Sequence, residues 1–316
     1  MTKRALLTGG TGFVGANLVR RLLADGHEVH LLVRGGHNPW RLEEVLGQVR
    51  LHEADLGDAP ALGRSLADVR PDWIFHLATH GAYPQQRDIE QIVQTNVAGT
   101  INLLEAARKT GFEAFVNTGS SSEYGFKDHA PTEDEWLEPN SAYAVTKAAG
   151  TLYCSHIARS TGAHVLTLRL YSVYGPFEEP TRLLPQLLTR SRSDSLPPLV
   201  GPDVARDYIY VDDVSDAFVA AAAQSKPAAS VYNIGSGIQT PLRTVVDIVR
   251  RLRRMRAEPE WGSMPGRSWD TTTWVADNRK AQADLGWQPK HTLEEGIALM
   301  ARWLDEQPAM LRRYVG

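Results

Sequence analysis

The sequence predicts an α/β fold in which helices cover both faces of a doubly wound parallel sheet, with a smaller domain at the C-terminal end. Two observations predict it. Short apolar segments with strand character alternate with amphipathic helical segments, an order that favours a parallel sheet covered on both faces. The first apolar segment, Arg4–Thr8, leads into a glycine-rich turn and then a helix, which is the frame of a dinucleotide-binding unit. We therefore predict a sheet of the Rossmann type.

The composition is that of an ordinary globular chain and excludes several classes of protein. Of 316 residues, 42% are hydrophobic and 22% are charged, and the net charge is −3, so no global attraction to nucleic acid or membranes is expected. The single cysteine, Cys154, excludes an internal disulfide and fits a reducing cytosol. No apolar run has membrane-spanning length, and the first strand begins too early to leave room for a signal peptide. We expect a cytoplasmic protein.

The glycine-rich turn has the spacing needed to receive a pyrophosphate. Gly9 permits a tight turn, Gly12 lets the backbone approach the phosphates, and Gly15 lets the following helix pack closely on the strand. The N-terminus of that helix presents free N–H groups and the positive end of its dipole. These features predict a bound dinucleotide.

The second predicted strand, Glu28–Val33, ends at Arg34. The residue at this strand end normally meets the adenosine ribose. An acidic side chain there binds the 2′-hydroxyl of NAD, whereas an arginine accommodates the 2′-phosphate of NADP. Arg34 stands at this place with no acid close by, so the sequence favours NADP(H), with NAD(H) as the alternative.

Strands and helices continue to alternate along the chain. Further strands are predicted at Val49–Leu56, Pro71–Ala78, Phe112–Thr118, Ala163–Leu170 and Val231–Ile234, further helices at Asn96–Ala107, Val214–Gln224 and Leu242–Arg254, and a turn at Tyr171–Pro176. His76 and His80 do not predict a metal site, because residues four apart on a strand are distant and no cysteine accompanies them. We predict no metal.

A proline-rich stretch after Pro176 marks a change in the character of the chain. We predict a cofactor domain over residues 1–171, to which residues 205–234 return, and a substrate domain formed by residues 172–204 and 235–316. Five arginines between positions 250 and 256 lie opposite the apolar face of a predicted helix. Because the whole chain is slightly acidic, we interpret them as a solvated surface and not as a nucleic-acid site.

A serine-rich turn, Gly119–Gly125, follows the fifth strand, and a helix that opens at Ser141 carries Tyr143 and Lys147 one turn apart on one face. Free tyrosine has a pKa of about 10. A nearby ammonium favours the phenolate, so we expect Lys147 to lower the pKa of Tyr143 toward the working range. A serine hydroxyl can hold the oxygen of a carbonyl or carbinol against the phenol. Together these residues predict acid–base chemistry beside a nicotinamide.

The chain resembles the extended short-chain dehydrogenase/reductase family, in the branch of NAD-dependent epimerases and dehydratases that act on nucleotide sugars. The matching motifs run from Leu7 to Pro289. They are Thr8–Gly15, His76–Ala78, Asn96–Thr100, Tyr143 with Lys147, Val173–Pro176, Arg206–Tyr208 and Leu285–Pro289.

The resemblance implies a role for individual residues. The catalytic group is Ser120, Tyr143 and Lys147, with Ser121 in place of Ser120 if the loop differs by one residue. The cofactor contacts are Gly9, Thr11, Gly12, Phe13, Val14, Gly15, Arg34, Asp55, Leu56, Leu77, Ala78, Thr79, Asn96, Thr118, Tyr143, Lys147, Tyr171 and Val173. The substrate contacts are His80, Tyr83, Ser121, Ser122, Ser172, Arg206 and Arg267. The resemblance also implies a homodimer formed by the helices at 96–109 and 142–160, packed as a four-helix bundle.

Two departures from the family pattern bear on the reaction. Family 4,6-dehydratases carry an Asp-Glu pair directly after the catalytic threonine, where this chain has Ser121 and Ser122, with Glu123 one position further on. Family members usually have Asn before Val-Tyr-Gly-Pro, where this chain has Ser172. The first departure disfavours dehydration.

Three hypotheses about function follow. The leading one is an NADPH-dependent reductase of a nucleotide-linked 4-keto-6-deoxy sugar, in which hydride reaches C4 and Tyr143 protonates the ketone oxygen. The second is an NAD-dependent nucleotide-sugar 4-epimerase with the same catalytic residues. The third is a non-catalytic dinucleotide-sensing protein on the same fold, because a fold alone does not establish a function.

Overall fold

The computed structural model describes residues 1–224, 231–266 and 271–315. The strands are β1 (Arg4–Thr8), β2 (Glu28–Val33), β3 (Arg50–Glu53), β4 (Trp73–His76), β5 (Ala114–Ser120), β6 (Val165–Leu170), β7 (Ser172–Tyr174), β8 (Ala205–Tyr210), β9 (Val231–Ile234) and β10 (Gln239–Pro241). The helices are α1 (Phe13–Ala24), α2 (Ala59–Val69), α3 (Ile89–Val93), α4 (Gly99–Thr110), α5 (Ala142–Thr161), α6 (Leu183–Arg190), α7 (Val211–Ala223), α8 (Leu242–Arg253), α9 (Arg279–Leu285), α10 (Leu293–Glu306) and α11 (Pro308–Val315).

The main sheet of the described residues has the order β3-β2-β1-β4-β5-β6-β9, and every neighbouring pair is parallel. The order reverses between β1 and β4, which is the doubly wound arrangement of a Rossmann-type fold. The predicted fold class is confirmed. In such a sheet, ligands bind in the crevice beyond the carboxyl ends of the strands at this reversal.

A second sheet of three strands has the order β10-β8-β7. β7 runs parallel to β8, with Ser172 opposite Tyr208, and β10 runs antiparallel to β8. The turn predicted over Tyr171–Pro176 is therefore wrong for its first half, because pairing with a strand more than thirty residues away holds Ser172–Tyr174 extended. Within residues 205–234, β9 joins the main sheet while β8 belongs to this second sheet.

Three hydrophobic clusters hold these layers together. On one face of the main sheet, Leu18 of α1 and Phe218 of α7 pack against the apolar strand residues. On the other face, α2, α4 and α5 supply Leu66, Leu104 and Ile157. The third cluster joins α6, α8 and α10. Full burial of each such side chain contributes about 1.5–3 kcal/mol, so the amphipathic patterns in the sequence account for both covered faces.

Some element boundaries differ from those predicted. β3 and β4 are shorter than expected, and β5 extends to Ser120. The helix predicted from Asn96 is preceded by a π-helical segment, Gln94–Ala98, and its α-helical part begins at Gly99. π-Helical segments are rare and often lie at functional sites.

The arginines of α8 pair with carboxylates of the same chain. Arg251 lies 3.0 Å from Glu294, and Arg253 lies 2.7 Å from Asp305. The predicted solvated surface thus carries ion pairs between α8 and α10. None of the helices in the described ranges is long and apolar enough to cross a membrane.

Candidate active site

The glycine-rich turn between β1 and α1 has neighbouring backbone atoms too close to two of its glycines for a side chain to fit. Gly9 has a φ of +68°, and a Cβ there would lie 2.6 Å from the backbone nitrogen of Ala78. A Cβ on Gly15 would lie 2.2 Å from the carbonyl oxygen of Gly9. A side chain at Gly9 would collide with the segment after β4, and one at Gly15 would push α1 away from the turn, so both positions require glycine.

The N-terminus of α1 is suited to an anion. The helix begins at Phe13 with Gly12 as its N-cap, and no side chain in the described residues caps it or places an acid in its first turn. Its first N–H groups and its dipole therefore point at the crevice beside Gly12. Thr11, Phe13 and Val14 surround this backbone, so the residues fit the pyrophosphate of a dinucleotide.

Two hydroxyl groups near the carboxyl ends of β5 and β6 lack partners. Thr118 Oγ1 and Tyr171 Oη are buried and accept or donate no hydrogen bond within the described residues. Burial also raises the pKa of Tyr171, so its hydroxyl stays protonated. Unpaired buried hydroxyls are costly in a finished interior, and these two lie on the side of the sheet where a ligand is expected.

The adenosine end of the crevice differs from the expectation. Arg34 is exposed just beyond β2. The carboxylate of Glu53, at the end of the neighbouring strand β3, lies 3.3 Å from where a Cβ of Gly35 would stand. The prediction that no acid lies close by is wrong, because Glu53 is distant along the chain but adjacent across the sheet. This strand end offers both a guanidinium and a carboxylate.

The crevice floor is organised around Asn96. Its amide oxygen accepts from the backbone N–H of His80 at 2.8 Å and from the hydroxyl of Thr79 at 3.1 Å. Its amide nitrogen donates to the carbonyl of His80 at 2.8 Å and to the hydroxyl of Thr146 at 3.0 Å. Asn96 thereby ties the segment after β4 to α5, and its own contact with a cofactor stays a prediction.

The loop after β3 carries Asp55 and Leu56, which the family resemblance predicts beside the adenine. Asp55 is exposed and its carboxylate accepts from the backbone N–H of Gly57 at 2.7 Å, whereas the carbonyl of Leu56 accepts from Asn102 at 2.9 Å. The loop is thus held by α4. Leu77 and Ala78 follow β4 directly against Gly9.

His76 is a packed histidine, one of the two roles, packed or substrate-facing, that the sequence leaves open for it. It is buried between the hydroxyls of Thr8 at 2.7 Å and Thr100 at 2.9 Å. Burial, with the charge of Lys147 as a smaller cause, lowers its pKa to about 3, so the imidazole is neutral at neutral pH. Among the described ranges no group of three histidine, cysteine or acidic residues is placed to hold a metal ion.

The serine turn begins where β5 ends. Ser120 is the N-cap of a short 3₁₀ turn, and its hydroxyl contacts the hydroxyl of Ser122 at 2.7 Å. Glu123 closes the turn by accepting from the backbone N–H of Ser120 at 2.8 Å. Ser121 is buried and its hydroxyl accepts a hydrogen bond from the indole of Trp274 at 3.1 Å. Of the three serines, Ser120 and Ser122 therefore share one hydrogen bond while Ser121 turns toward Trp274.

The N-terminus of α5 brings Tyr143 to this turn. Ser141 caps the helix by accepting from the backbone N–H of Ala144 at 3.2 Å, which fixes the first turn of the helix beside β5. Burial raises the pKa of Tyr143, and hydrogen bonds from the side chains of Ser120 and Thr79 oppose that rise. The phenol thus lies between the serine turn and the end of β4, and the structure brings together the three hydroxyls of Ser120, Thr79 and Tyr143.

The expected lowering of the pKa of Tyr143 toward the working range is wrong for the protein alone, because burial raises this pKa. Burial is the largest influence on Tyr143, and the nearby charges that act on it, Glu123 first, raise its pKa further. Burial also lowers the pKa of Lys147, to about 8, while Glu123 and Cys154 raise it. Lys147 therefore remains mostly cationic at pH 7, and Tyr143 remains a phenol that can give a proton.

The residues predicted to contact substrate are distributed over several elements, and their contact with substrate stays a prediction. The guanidinium of Arg206 lies 5.4 Å from the centre of the Trp274 ring, and that of Arg182 lies 6.0 Å from the centre of Tyr83. His80 follows β4, and Ser172 begins β7. Arg267 lies outside the described residues.

Sequence analysis missed Trp274 and gave Glu123 no place in the site. Trp274 reaches Ser121 across 153 positions of the chain, so no local pattern points to it. Its segment is held by Asp207, which accepts hydrogen bonds from the backbone N–H groups of Ser236, Gly237 and Ala276 at 2.6–3.0 Å. Asp207 thereby fastens the Trp274 segment to β8.

The profile of the NAD dependent epimerase/dehydratase family matches residues 5–235. The chain belongs to this family. It is an NAD(P)-dependent enzyme of the extended short-chain dehydrogenase type, so the alternative of a non-catalytic sensor is wrong.

The relatives of this family member cover nearly all of it. A UDP-glucose 4-epimerase of Mycolicibacterium smegmatis is 36% identical over 93% of this chain and 96% of its own length. A dTDP-glucose 4,6-dehydratase of Streptomyces griseus is 32% identical over 96% of this chain and 94% of its own. The solved structure of MoeE5 in complex with UDP-glucose and NAD has 30% identity and a TM-score of 0.85, covering 96% of this chain and 99% of that one. The similarity thus extends through both sheets.

Proposed function

We propose that this enzyme is an NADPH-dependent reductase of a nucleotide-linked 4-keto-6-deoxy sugar, acting at C4. The observation that carries the proposal is that Ser120 meets Tyr143 beside the glycine-rich turn, with a cationic Lys147 one helical turn further along α5. Relatives that act on UDP-glucose and dTDP-glucose support a nucleotide-linked sugar as the substrate. Residues 172–204 and 235–316 are proposed to hold it, with Arg206 at its phosphates.

The catalytic residues divide the work between them. The hydroxyl of Ser120 donates a hydrogen bond to the C4 oxygen and holds it against the phenol. The nicotinamide of a bound cofactor supplies hydride to C4. Tyr143 gives its proton to the same oxygen, and the ammonium of Lys147 stabilises the phenolate that remains. A phenol with a raised pKa suits this direction, because it stays protonated until the oxygen becomes basic.

Elimination of water is disfavoured because the residues it requires are missing. The positions of the family's Asp-Glu pair hold Ser121 and Ser122, and neither hydroxyl is a strong acid or base. Glu123 is fully buried and pairs with Arg169 at 2.8 Å, so its carboxylate is turned away from the crevice. The site offers one proton donor, as reduction needs.

A 4-epimerase is the second candidate, and two observations favour it. The carboxylate of Glu53 at the adenosine end suits the 2′-hydroxyl of NAD. A 36% identical relative is a UDP-glucose 4-epimerase. The same catalytic residues would take the proton from the C4 hydroxyl and later return it, while a bound NAD would accept the hydride from C4 and give it back to the opposite face of the sugar.

The identity of the cofactor discriminates between the two candidates. Nucleotide released from the purified protein by denaturation is identified, and the emptied protein is titrated with NADPH and NADH. A reductase is expected to retain little cofactor and to prefer NADPH, with Arg34→Ala losing that preference and Glu53→Gln strengthening it. Stoichiometric, tightly held NAD would overturn the reductase and favour the epimerase.

The role of Tyr143 is tested with Tyr143→Phe, which removes one hydroxyl and keeps the ring. NADPH oxidation in the presence of dTDP-4-keto-6-deoxyglucose is expected to slow by about 10²–10⁴-fold, while the affinity for NADPH stays close to that of the wild type. Full turnover by the variant would contradict this mechanism.

The same proposal includes a homodimer. Val145 and Leu152 of α5 are 51% and 58% exposed, and Val93 at the end of α3 is 45% exposed. Val145 and Leu152 are two turns apart and so share one face of the helix. Apolar residues in such an arrangement are typical of a helix-packing surface, and we propose that two copies pair there as a four-helix bundle.

A further inference from the structure

A buried ion pair lies directly behind the serine turn. Glu123 is completely buried and Arg169 of β6 is 3% exposed, and the guanidinium Nε lies 2.8 Å from one carboxylate oxygen. Removing two charges from water is expensive, and an apolar pair of similar size is often as stable. Stability alone therefore does not account for a charged pair at this place.

The second oxygen of Glu123 is bound to the catalytic turn. Oε1 accepts from the backbone N–H of Ser120 at 2.8 Å and from the hydroxyl of Thr151 at 3.0 Å. A Cβ at Gly119 would lie 2.8 Å from the same oxygen, so a glycine is needed for the close approach. The carboxylate is held by three donors, and one of them is the backbone of the residue that orients the substrate oxygen.

Arg169 extends the same network away from the crevice. Its guanidinium donates to the hydroxyl of Tyr124 at 2.7 Å and to the carbonyl of Glu133 at 3.2 Å. Tyr124 in turn donates to the side-chain oxygen of Asn233 in β9 at 2.7 Å. The charge of Glu123 is thus fixed in position by contacts with β6, β9 and the loop before α5.

This charge acts on both titrating groups of the catalytic pair. Glu123 raises the pKa of Tyr143 and the pKa of Lys147. The other titratable groups that face the pair are Tyr83, Cys154 and His76. Burial raises the pKa of Tyr83, raises the pKa of Cys154 to about 12, and lowers the pKa of His76. None of these three groups is therefore charged near neutral pH. Glu123 is therefore the negative charge behind the proton donor.

We propose that Glu123 is a positioning residue for proton transfer, which fixes the backbone of Ser120 and keeps a negative charge behind Tyr143 so that the phenol retains its proton until hydride reaches the substrate. The inference rests on the proposed function of Ser120 and Tyr143. Reduction needs the protonated phenol, so its rate falls as the pH rises through the tyrosine pKa. A negative charge moves that fall to higher pH.

The decisive variant is Glu123→Gln, which keeps an acceptor oxygen for Ser120 and removes the charge. Two profiles are measured between pH 6 and pH 11: NADPH-dependent reduction of dTDP-4-keto-6-deoxyglucose, and phenolate absorbance of Tyr143, isolated as the difference from the Tyr143→Phe protein. Both are expected to shift toward lower pH by roughly one unit. A uniform loss of rate with unmoved profiles would mean that Glu123 only supports the fold, and would overturn the proposal.

Two further variants keep the test decisive if Glu123→Gln folds poorly. Thr151→Val removes one hydrogen bond to the same oxygen and leaves the charge, so its profiles are expected to match the wild type. Glu123→Asp keeps the charge but withdraws it from Ser120, so its turnover is expected to fall at least tenfold with little shift of the profiles. Wild-type turnover in Glu123→Asp, or a shift in Thr151→Val as large as one unit, would contradict the positioning role.

Failure of this inference and failure of the proposed function give different results. If Tyr143→Phe keeps full turnover, the acid–base mechanism itself is wrong. If Tyr143→Phe is inactive and the profiles of Glu123→Gln match the wild type, the mechanism stands and the role of Glu123 is overturned.

Discussion

The substitution Gly15→Ala tests how closely α1 must pack to form the cofactor turn. A Cβ at position 15 would lie 2.2 Å from the carbonyl oxygen of Gly9, 2.8 Å from the Cα of Gly10 and 2.9 Å from the carbonyl carbon of Gly9. All three atoms belong to the backbone, so no side chain can rotate to make room. The start of α1 must move away from β1 by roughly an ångström to restore ordinary contact.

Two opposing effects set the magnitude. Replacing glycine by alanine inside a helix stabilises it by about 1 kcal/mol, whereas inserting a methyl group into a closed contact costs about 1–3 kcal/mol. The expected result is a net loss of about 0–2 kcal/mol in the free energy of unfolding. Displacing the phosphate-binding N–H groups by an ångström is expected to weaken dinucleotide binding on the order of a hundredfold.

Gly63→Ala provides a matched control, since this glycine lies inside α2 and a Cβ there meets no atom within 4 Å. It should stabilise the protein by about 1 kcal/mol and leave binding unchanged. Urea unfolding gives the free energies, and quenching of tryptophan fluorescence by NADPH and by NADH gives the dissociation constants. If Gly15→Ala bound both nucleotides like the wild type and unfolded at the same urea concentration, the close packing would not be required.

Two further predictions concern stability and assembly. Burial raises the pKa of Glu178 to about 8, so between about pH 4.5 and pH 8 the unfolded chain releases a proton that the folded protein retains, and stability falls as the pH rises. We therefore expect the stability of Glu178→Gln relative to the wild type to be greater at pH 8 than at pH 5, by a few kcal/mol in urea unfolding. The adjacent Glu179→Gln should not show this pH-dependent gain. An equal stability difference between Glu178→Gln and the wild type at both pH values would contradict the prediction. Leu152→Arg is expected to reduce the mass measured by light scattering from twice 34.9 kDa to 34.9 kDa, because it puts a charge in the proposed helix bundle. The control Leu252→Arg on α8 should remain a dimer. A dimeric Leu152→Arg protein would mean that the interface lies elsewhere.

The elements that depend on local pattern could be predicted from the sequence. The strand and helix around the glycine turn follow from the apolar spacing and from the glycines at positions 9, 12 and 15. Tyr143 and Lys147 are one helical turn apart, so their common face follows from the period of the helix. These local features sufficed for the fold class, whereas the catalytic roles of Tyr143 and Lys147 stay predictions.

The features that the sequence could not reveal depend on contacts between distant segments. Glu53 reaches the end of β2 only through the register of β2 with β3, and Trp274 reaches Ser121 only because Asp207 fastens its segment to β8. The direction of the pKa shift of Tyr143 depends on burial, which no motif encodes. Each of these three corrects or completes a statement about chemistry and not about fold.

Charged side chains at the two ends of the crevice bear on two different questions, which reaction is possible and which cofactor is bound. At the catalytic end, the buried Glu123 is bound to Arg169 and no Asp-Glu pair follows Ser120, so we expect proton transfer at C4 without elimination of water. Reduction and epimerisation both need only this proton transfer, so the missing Asp-Glu pair does not separate them. At the adenosine end, Arg34 and Glu53 have opposite effects on cofactor binding, because Arg34 attracts a 2′-phosphate and Glu53 repels it. A reductase must exchange its cofactor at every turnover and an epimerase must keep it, so we expect the cofactor that these two side chains favour to indicate which of the two reactions the enzyme carries out.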